Sequence, residues 1–321
     1  MVSFVSSLLD GLLRAITEAG VRRVALIGAT PAALEIHARL SVAASSKLLV
    51  GVFDPSDAGL HLPDGRPWNS LSDAAPDLLV ICSDAAKEDL LRAAAAQLDD
   101  IDPPPRAVLA GTAHLDYRDA DFLELDEPSL VPSYATGYSH TRVHLFQCLK
   151  AAAANGLTGA VVEFGAFKGG TTVWLAKAVR GLGLDSRVIG FDSWSGFPPR
   201  RSIFDLYEHP RCIFTELDAV RAYADPHSVE LVPGEISETC RQLVGTPILV
   251  AFMDTDNYSA ARAALEVCLS ELVVGGAIVF DHYWTTEDYV YTIGERLAAQ
   301  DVLAEAGLLQ LHGTGVFVRV G

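Results

Sequence analysis

Positive charge is scarce in this chain: 24 Lys and Arg stand against 41 Asp and Glu, a net charge of −17. Such a field repels a polyanion unless a local basic patch overrides it, so nucleic acid is not an expected partner. Long apolar runs are missing too. Half of the residues are hydrophobic, yet runs such as Leu272 to Phe280 fall far short of the roughly 20 residues that cross a bilayer, and no membrane partner is expected. Cysteine is sparse. Cys82, Cys148, Cys212, Cys240 and Cys268 are odd in number, scattered and without a CxxC pair, which argues against a disulfide framework or a zinc site and fits a cytoplasmic setting. The N-terminal stretch lacks a basic residue ahead of its apolar segment and a small-residue cleavage site. Leu8, Leu9, Leu12, Leu13 and Ile16 recur there at helical spacing and read as an amphipathic helix.

What the chain does contain is two successive α/β patterns, and its 321 residues suit two domains. In the first, Val24 to Ile27, Leu48 to Phe53, Leu78 to Ile81 and Ala107 to Ala110 read as short buried strands, with helices at Ala32 to Leu40 and Lys87 to Ala96. The acid-rich stretch from Asp116 to Pro132 reads as a connector or surface hairpin, and the boundary is expected there, giving domains 1–125 and 126–321. The second pattern opens with a helix, Ser139 to Asn155. Strands follow at Ala160 to Phe164, Arg187 to Phe191, Val229 to Val232, Ile248 to Met253 and Ala277 to Phe280. Two closing strands, around Leu308 to Leu311 and Gly315 to Val320, meet across an HGTG turn, so the final strand is expected to run antiparallel.

The sharpest motif is VVEFGAFKGGTTVWLA, Val161 to Ala176. A strand ends at Glu163, a turn carries Gly165, Gly169 and Gly170, and Thr171 or Thr172 can cap the helix that follows. Glycine lets a ligand approach the backbone, and a helix N-terminus offers N–H groups to an anion. The spacing is not GxGxxG, so a dinucleotide is not the natural ligand. The next strand ends in Asp192, where a carboxylate can accept from two ribose hydroxyls. A nucleoside site follows from this pattern, and so does an ordinary βαβ unit with a surface Asp. Gly234 and Glu235, after a further strand, suit an adenine edge or merely a turn. FMDTDNY (Phe252 to Tyr258) and FDHY (Phe280 to Tyr283) each follow an apolar strand, so Asp254, Asp281 and His282 project from the carboxyl edge of one parallel sheet. Two carboxylates and an imidazole suit Mg²⁺, with Mn²⁺ or Fe²⁺ conceivable given the nitrogen; strand-end acids also cap helices, which is the reading preferred for Asp256. Trp194, Phe197, Tyr283 and Trp284 flank the expected cleft, as adenine-stacking or core residues.

Taken together, GAVVEFGAFKGG, GFDSWSGFPP, VPGEISETC, MDTDNYSAARAAL and GGAIVFDHY resemble the macrocin O-methyltransferase (TylF/MycF-like) family, from about Tyr138 to the C-terminus. The resemblance implies an α/β fold of class I methyltransferase type, a seven-stranded Rossmann-like sheet with its last strand antiparallel. It implies S-adenosylmethionine over the Glu163 to Gly170 loop, with Gly165, Lys168, Gly169 and Thr171 around it. Its ribose would lie on Asp192 beside Ser193 and its adenine near Gly234 and Glu235. Mg²⁺ or Mn²⁺ would sit on Asp254, Asp281 and His282. The family usually has a second Asp where His282 stands, so His282 is alternatively a general base beside Asp254. Catechol-type relatives carry a Lys shortly after the first metal Asp; Thr255, Asp256 and Asn257 stand here, which disfavours a catechol. The acceptor is then a small hydroxylated molecule, a sugar or another secondary metabolite. The segment Pro198 to Pro226, with Arg200, Arg201, Phe204, Tyr207 and Arg211, is the expected acceptor-facing lid. The front domain resembles the Rossmann half of PglD-type sugar acetyltransferases, with Gly28 at its first turn and Asp54 after its second strand. Thr30 and Pro31 stand where a dinucleotide fingerprint has glycine, which opposes an oxidoreductase and suits a degenerate domain used for dimerisation or as a substrate-channel wall, with nucleotide or sugar binding as the alternative; a homo-oligomer is expected. The competing functional class is a non-catalytic sensor of nucleotide or adenosylmethionine.

Overall fold

Alternation decides the architecture of the first unit. In the computed structural model, which describes residues 3–43, 49–54, 71–125, 139–284 and 287–321, the chain divides into two compact units, Met1–Tyr117 and Arg118–Gly321. The first unit contains helix α1 (Phe4–Ala19), strand β1 (Arg23–Ile27), α2 (Pro31–Ala43), β2 (Leu49–Phe53), α3 (Leu71–Ala74), β3 (Leu78–Ile81), α4 (Lys87–Ala95) and β4 (Arg106–Val108). The strands form a parallel sheet in the order β2-β1-β3-β4. Val24, Leu26, Leu78 and Val80 pack with Leu8, Leu12 and Ile36 on one face. Ala25, Ile27, Leu79 and Ile81 pack with Ala94 on the other. Both faces are covered, which is why these strands read as unbroken apolar runs. Gly28 turns the chain at φ 98°, and Asp54 accepts the N–H of Ala29 at 2.9 Å. The acid after the second strand thus holds the first turn.

The second unit contains α5 (Ala120–Leu125), α6 (Ser139–Ala154), β5 (Ala160–Phe164), α7 (Gly170–Gly181), β6 (Val188–Asp192), α8 (Leu217–Ala224), β7 (Val229–Pro233), α9 (Ile236–Thr239) and β8 (Ile248–Met253). It continues with α10 (Tyr258–Glu271), β9 (Leu272–Phe280), α11 (Ile293–Leu303), β10 (Leu308–Gln310) and β11 (Val316–Arg319). Its seven strands run β10-β11-β9-β8-β5-β6-β7, with β11 antiparallel to both neighbours and the other pairs parallel. This is the expected class I methyltransferase arrangement. The chain order reverses between β5 and β8, so the crevice for a ligand opens at the carboxyl tips of those strands.

Two expectations are corrected. The stretch after Asp116 is not all connector: Phe122 on α5 is buried, with its ring 5.4 Å from that of Phe146 and 6.2 Å from that of Trp174. An aromatic that buries its whole ring outweighs the acidic composition around it. β9 starts at Leu272, earlier than Ala277, because Leu272 pairs with Ile248 before an irregularity in the ladder shifts the register. Asp126 to Tyr138, including the proposed start of the resemblance, lies outside the described residues. Among the described residues no helix is long and apolar enough to cross a membrane.

The tips of β5 and β8 touch through one glycine. Gly165 has φ 101°, and a Cβ there would lie 1.9 Å from the carbonyl oxygen of Asp254; Asp254 N–H meanwhile bonds Phe164 O at 2.9 Å. Gly165→Ala is therefore expected to cost about 2–4 kcal/mol in urea unfolding. Gly156→Ala, also at positive φ but with open space around it, is expected to cost about 1 kcal/mol. Equal effects would contradict the close approach.

Candidate active site

At these tips lies a cleft of about 750 Å³, lined among others by Glu163, Gly165, Lys168, Thr171, Asp192, Ser193, Glu235, Asp254, Asp256 and His282. β5 supplies Glu163, which is 1% exposed and faces α7, where the Thr172 hydroxyl donates to it. Burial pushes its carboxyl up to about 8, against the pull of that hydroxyl. Neither threonine caps α7: the N-cap is Gly169 in the left-handed region, and Thr171 is buried against the cleft.

β6 supplies Asp192, whose carboxylate organises both neighbouring loops. Oδ2 accepts from Phe167 N–H at 2.8 Å and Oδ1 from Trp194 N–H at 3.0 Å. Trp194 Nε1 donates in turn to Phe167 O at 2.7 Å. Phe167 and Trp194 both have positive φ (47° and 43°), a strain that the shared carboxylate offsets. Each Asp192 oxygen keeps lone pairs for a ligand hydroxyl. Trp194 is thus a buried structural ring, and Tyr283 packs on Phe280 and Phe317 in the core; Trp284 is half exposed, with the Arg296 guanidinium over it. Lys168 lies over the rings of Phe167 and Phe214. Gly234 and Ser193 serve the turns: Gly234 N–H bonds Asp192 O, and Ser193 Oγ donates to Gly196 O. Glu235 is held by Arg201 Nη2 at 2.7 Å and by the Ser237 hydroxyl at 2.7 Å.

β8 and β9 supply the acidic end. His282 Nε2 lies 3.2 Å from Asp281, 3.3 Å from Asp256 and 3.7 Å from Asp254. Asp254, Asp256 and His282 can bring one ligand atom each within 4.8 Å of one another. Neighbouring ligand atoms around an octahedral cation with bonds near 2.1 Å stand about 3 Å apart, so the 3.3 Å from His282 Nε2 to Asp256 is close to such an edge and the 3.7 Å to Asp254 is wider. Asp256 was expected to cap α10, and this is corrected. It sits in the left-handed region at φ 62° and turns towards His282. The α10 N-terminus is capped instead by Asp205 from the lid segment, which accepts Ser259 N–H at 2.8 Å and Ser259 Oγ at 2.7 Å, and also the N–H groups of Arg201 and Ser202 at 2.9 Å. Asn257 clasps the same segment, exchanging hydrogen bonds with both the N–H (2.9 Å) and the carbonyl (2.8 Å) of Tyr207. The expected lid is therefore tied to the acidic loop at two points.

The charge here is extreme. Asp254 and Asp256 are raised well above the carboxylate range, Asp254 by burial and then by facing Asp281, Asp256, Glu295 and Glu163, and Asp256 by burial and then by Glu295, Asp281 and Asp192. Asp281 is pushed up to about 8 by burial. Burial lowers His282 to about 4, so the imidazole is neutral at pH 7. Sequence reasoning missed Asp205, Asn257 and Glu295. Glu295 alone left a signal: it stands three and four residues before Ala298 and Ala299, on the stripe of α11 that faces the core.

With this geometry in hand, the likenesses to known proteins fall into place. Residues 162–283 match the family model of a methyltransferase domain. The 8-demethyl-8-(2,3-dimethoxy-alpha-L-rhamnosyl)-tetracenomycin-C 4'-O-methyltransferase of Streptomyces olivaceus is 28% identical over 237 residues, 64% of this chain and 88% of that protein. Among solved structures, the O-methyltransferase NovP is 20% identical, with 57% of this chain and 84% of that one covered at a TM-score of 0.47. The calicheamicin methyltransferase CalS11 is 21% identical, with 66% and 98% covered at the same score. The second unit thus has the fold of a class I methyltransferase, most of it is matched by the methyltransferase-domain model, and an acidic pocket lies at its strand tips.

Glu163, Asp281 and Glu295, the last raised to about 7, hold protons in the folded chain that they release on unfolding above about pH 4.5. Stability in chelator is therefore expected to fall as pH rises from 5 to 8. Thermal unfolding across that range should show a falling midpoint, with a shallower slope in Asp281→Asn; a flat or rising profile would contradict the buried-acid reading.

Proposed function

We propose that this chain is an S-adenosylmethionine-dependent O-methyltransferase whose acceptor is a sugar hydroxyl of a glycoside, assisted by a divalent cation. The observation that carries the reading is that Asp192 and Glu163, on the donor side, and Asp254, Asp256 and His282 line one cleft. The curated relative, named for methylating a rhamnosyl group, supports the sugar as acceptor. Membership of the macrocin group and a place in secondary metabolism belong to the same reading.

S-adenosylmethionine supplies an electrophilic methyl on a sulfonium, and transfer leaves a neutral thioether. The protein's share is to hold oxygen and methyl in line and to take one proton. Asp192 suits the ribose hydroxyls, and Glu235 suits the adenine edge while paired with Arg201. The acidic cluster fits a cation on its own chemistry. The groups that perturb Asp254 and Asp256 are all carboxylates and burial, with no Lys or Arg among them. A divalent cation on Asp254, Asp256 and His282 would lower the acceptor hydroxyl's pKa and fix its oxygen. His282, neutral at pH 7, turns Nε2 towards Asp254 and Asp256 as that role requires, and Asp281 is a further carboxylate beside it. With a cation neutralising the cluster, the acids there would be deprotonated, and Asp254 is the carboxylate placed on the cleft to take the hydroxyl proton as the oxygen attacks. The lid segment, with Arg200, Arg201 and Tyr207 on the cleft, faces the rest of the acceptor.

Labelled-methyl transfer to a panel of glycosides, with and without EDTA, tests the proposal. Wild-type turnover that EDTA suppresses and Mg²⁺ or Mn²⁺ restores is the expected result. Asp254→Asn is expected to lower kcat by about 10²–10⁴-fold while calorimetry shows donor affinity within a few-fold of wild type. Donor binding without transfer to any hydroxyl would favour the sensor instead.

A further inference from the structure

Glu295 is 0% exposed on α11, a position where an apolar side chain would pack without the cost of burying charge. The carboxylate nonetheless makes a dense set of contacts. Oε1 accepts the Thr255 N–H, the Thr255 hydroxyl at 2.9 Å and the Asp256 N–H at 2.9 Å. The peptide N–H of His282 also favours its charged form. One oxygen thus gathers two successive backbone donors and a hydroxyl from the loop after β8, the loop that carries Asp254 and Asp256. Asp256 is in the left-handed region, a conformation that the loop adopts only if something outside it pays back the strain. Groups lying behind ligating side chains commonly set their orientation.

We propose that Glu295 is a positioning residue for the proposed active site: it fixes the Thr255–Asp256 turn and its register against His282, and so sets the spacing of the three side chains that face the acceptor hydroxyl. It touches neither donor nor acceptor. The inference rests on the methyltransferase reading for its kinetic consequence, and on the hydrogen bonds alone for its structural one.

Two variants separate reach from acidity. Glu295→Asp keeps the carboxyl group but withdraws the oxygens from the loop by one methylene. Glu295→Gln removes the acid but keeps the reach and an acceptor oxygen at Oε1. In full-length protein, Glu295→Asp is expected to lower kcat at least thirty-fold, with donor affinity by calorimetry within twofold of wild type. Glu295→Gln is expected to recover at least tenfold of that loss. Hydrogen exchange by mass spectrometry should show the 254–257 amides exchanging at least ten times faster in Glu295→Asp than in wild type, while the β5 and β8 amides stay protected. Wild-type turnover in Glu295→Asp, a Glu295→Gln variant no better than it, or parallel loss of donor affinity and of protection throughout the sheet would each overturn the proposal. Should the wild-type chain transfer no methyl group at all, the functional reading fails, and the exchange measurement still decides whether Glu295 holds the loop.

Discussion

Buried negative charge is the constraint on which the site depends. Glu163, Asp254, Asp256, Asp281 and Glu295 sit at the tips of the central strands and beneath them, with one neutral imidazole among them. Carboxylates in such surroundings repel one another and are starved of water, so each is driven towards its protonated form. A chain tolerates that arrangement only where peptide N–H groups, hydroxyls or a bound cation take up the charge. The structure uses the first two for three of its acids: Thr172 on Glu163, the Thr255 and Asp256 amides on Glu295, and the Phe167 and Trp194 amides on Asp192; both Asp281 oxygens are buried without such a donor among the described residues.

The fold makes this crowding possible through close backbone contact. β5 and β8 lie side by side at the point where strand order reverses, and Gly165 lets their following loops meet without a side chain between them. The end of the cleft organised by Asp192 is thereby fixed against the acidic end. The lid segment joins through Asp205 and Asn257, which tie it to the acidic loop and the start of α10.

Much of this was legible in the sequence. The buried strands of both units, the antiparallel hairpin at the C-terminus and the strand-end acids follow from apolar runs, turn residues and their spacing. Phe122 was missed because composition around it is acidic, and one ring outweighs its neighbours in packing energy. Asp256 was assigned to the wrong task because an Asp just before a helix is a common cap, and nothing local reveals that Asp205, far away in the chain, has taken that place. Asn257 and Asp205 left no pattern at all, since a hydrogen bond across about 50 residues has no period. Glu295 did leave one, a charge on a core-facing helical stripe, which becomes informative only once the strand tips opposite are known to be acidic.

The most direct test of the central claim is a crystal structure with S-adenosylhomocysteine bound. The account requires the ribose hydroxyls on Asp192, and the sulfur facing the side of the cleft formed by Asp254, Asp256 and His282. A nucleoside bound away from Asp192, or a sulfur separated from the acidic cluster by the lid segment, would contradict it.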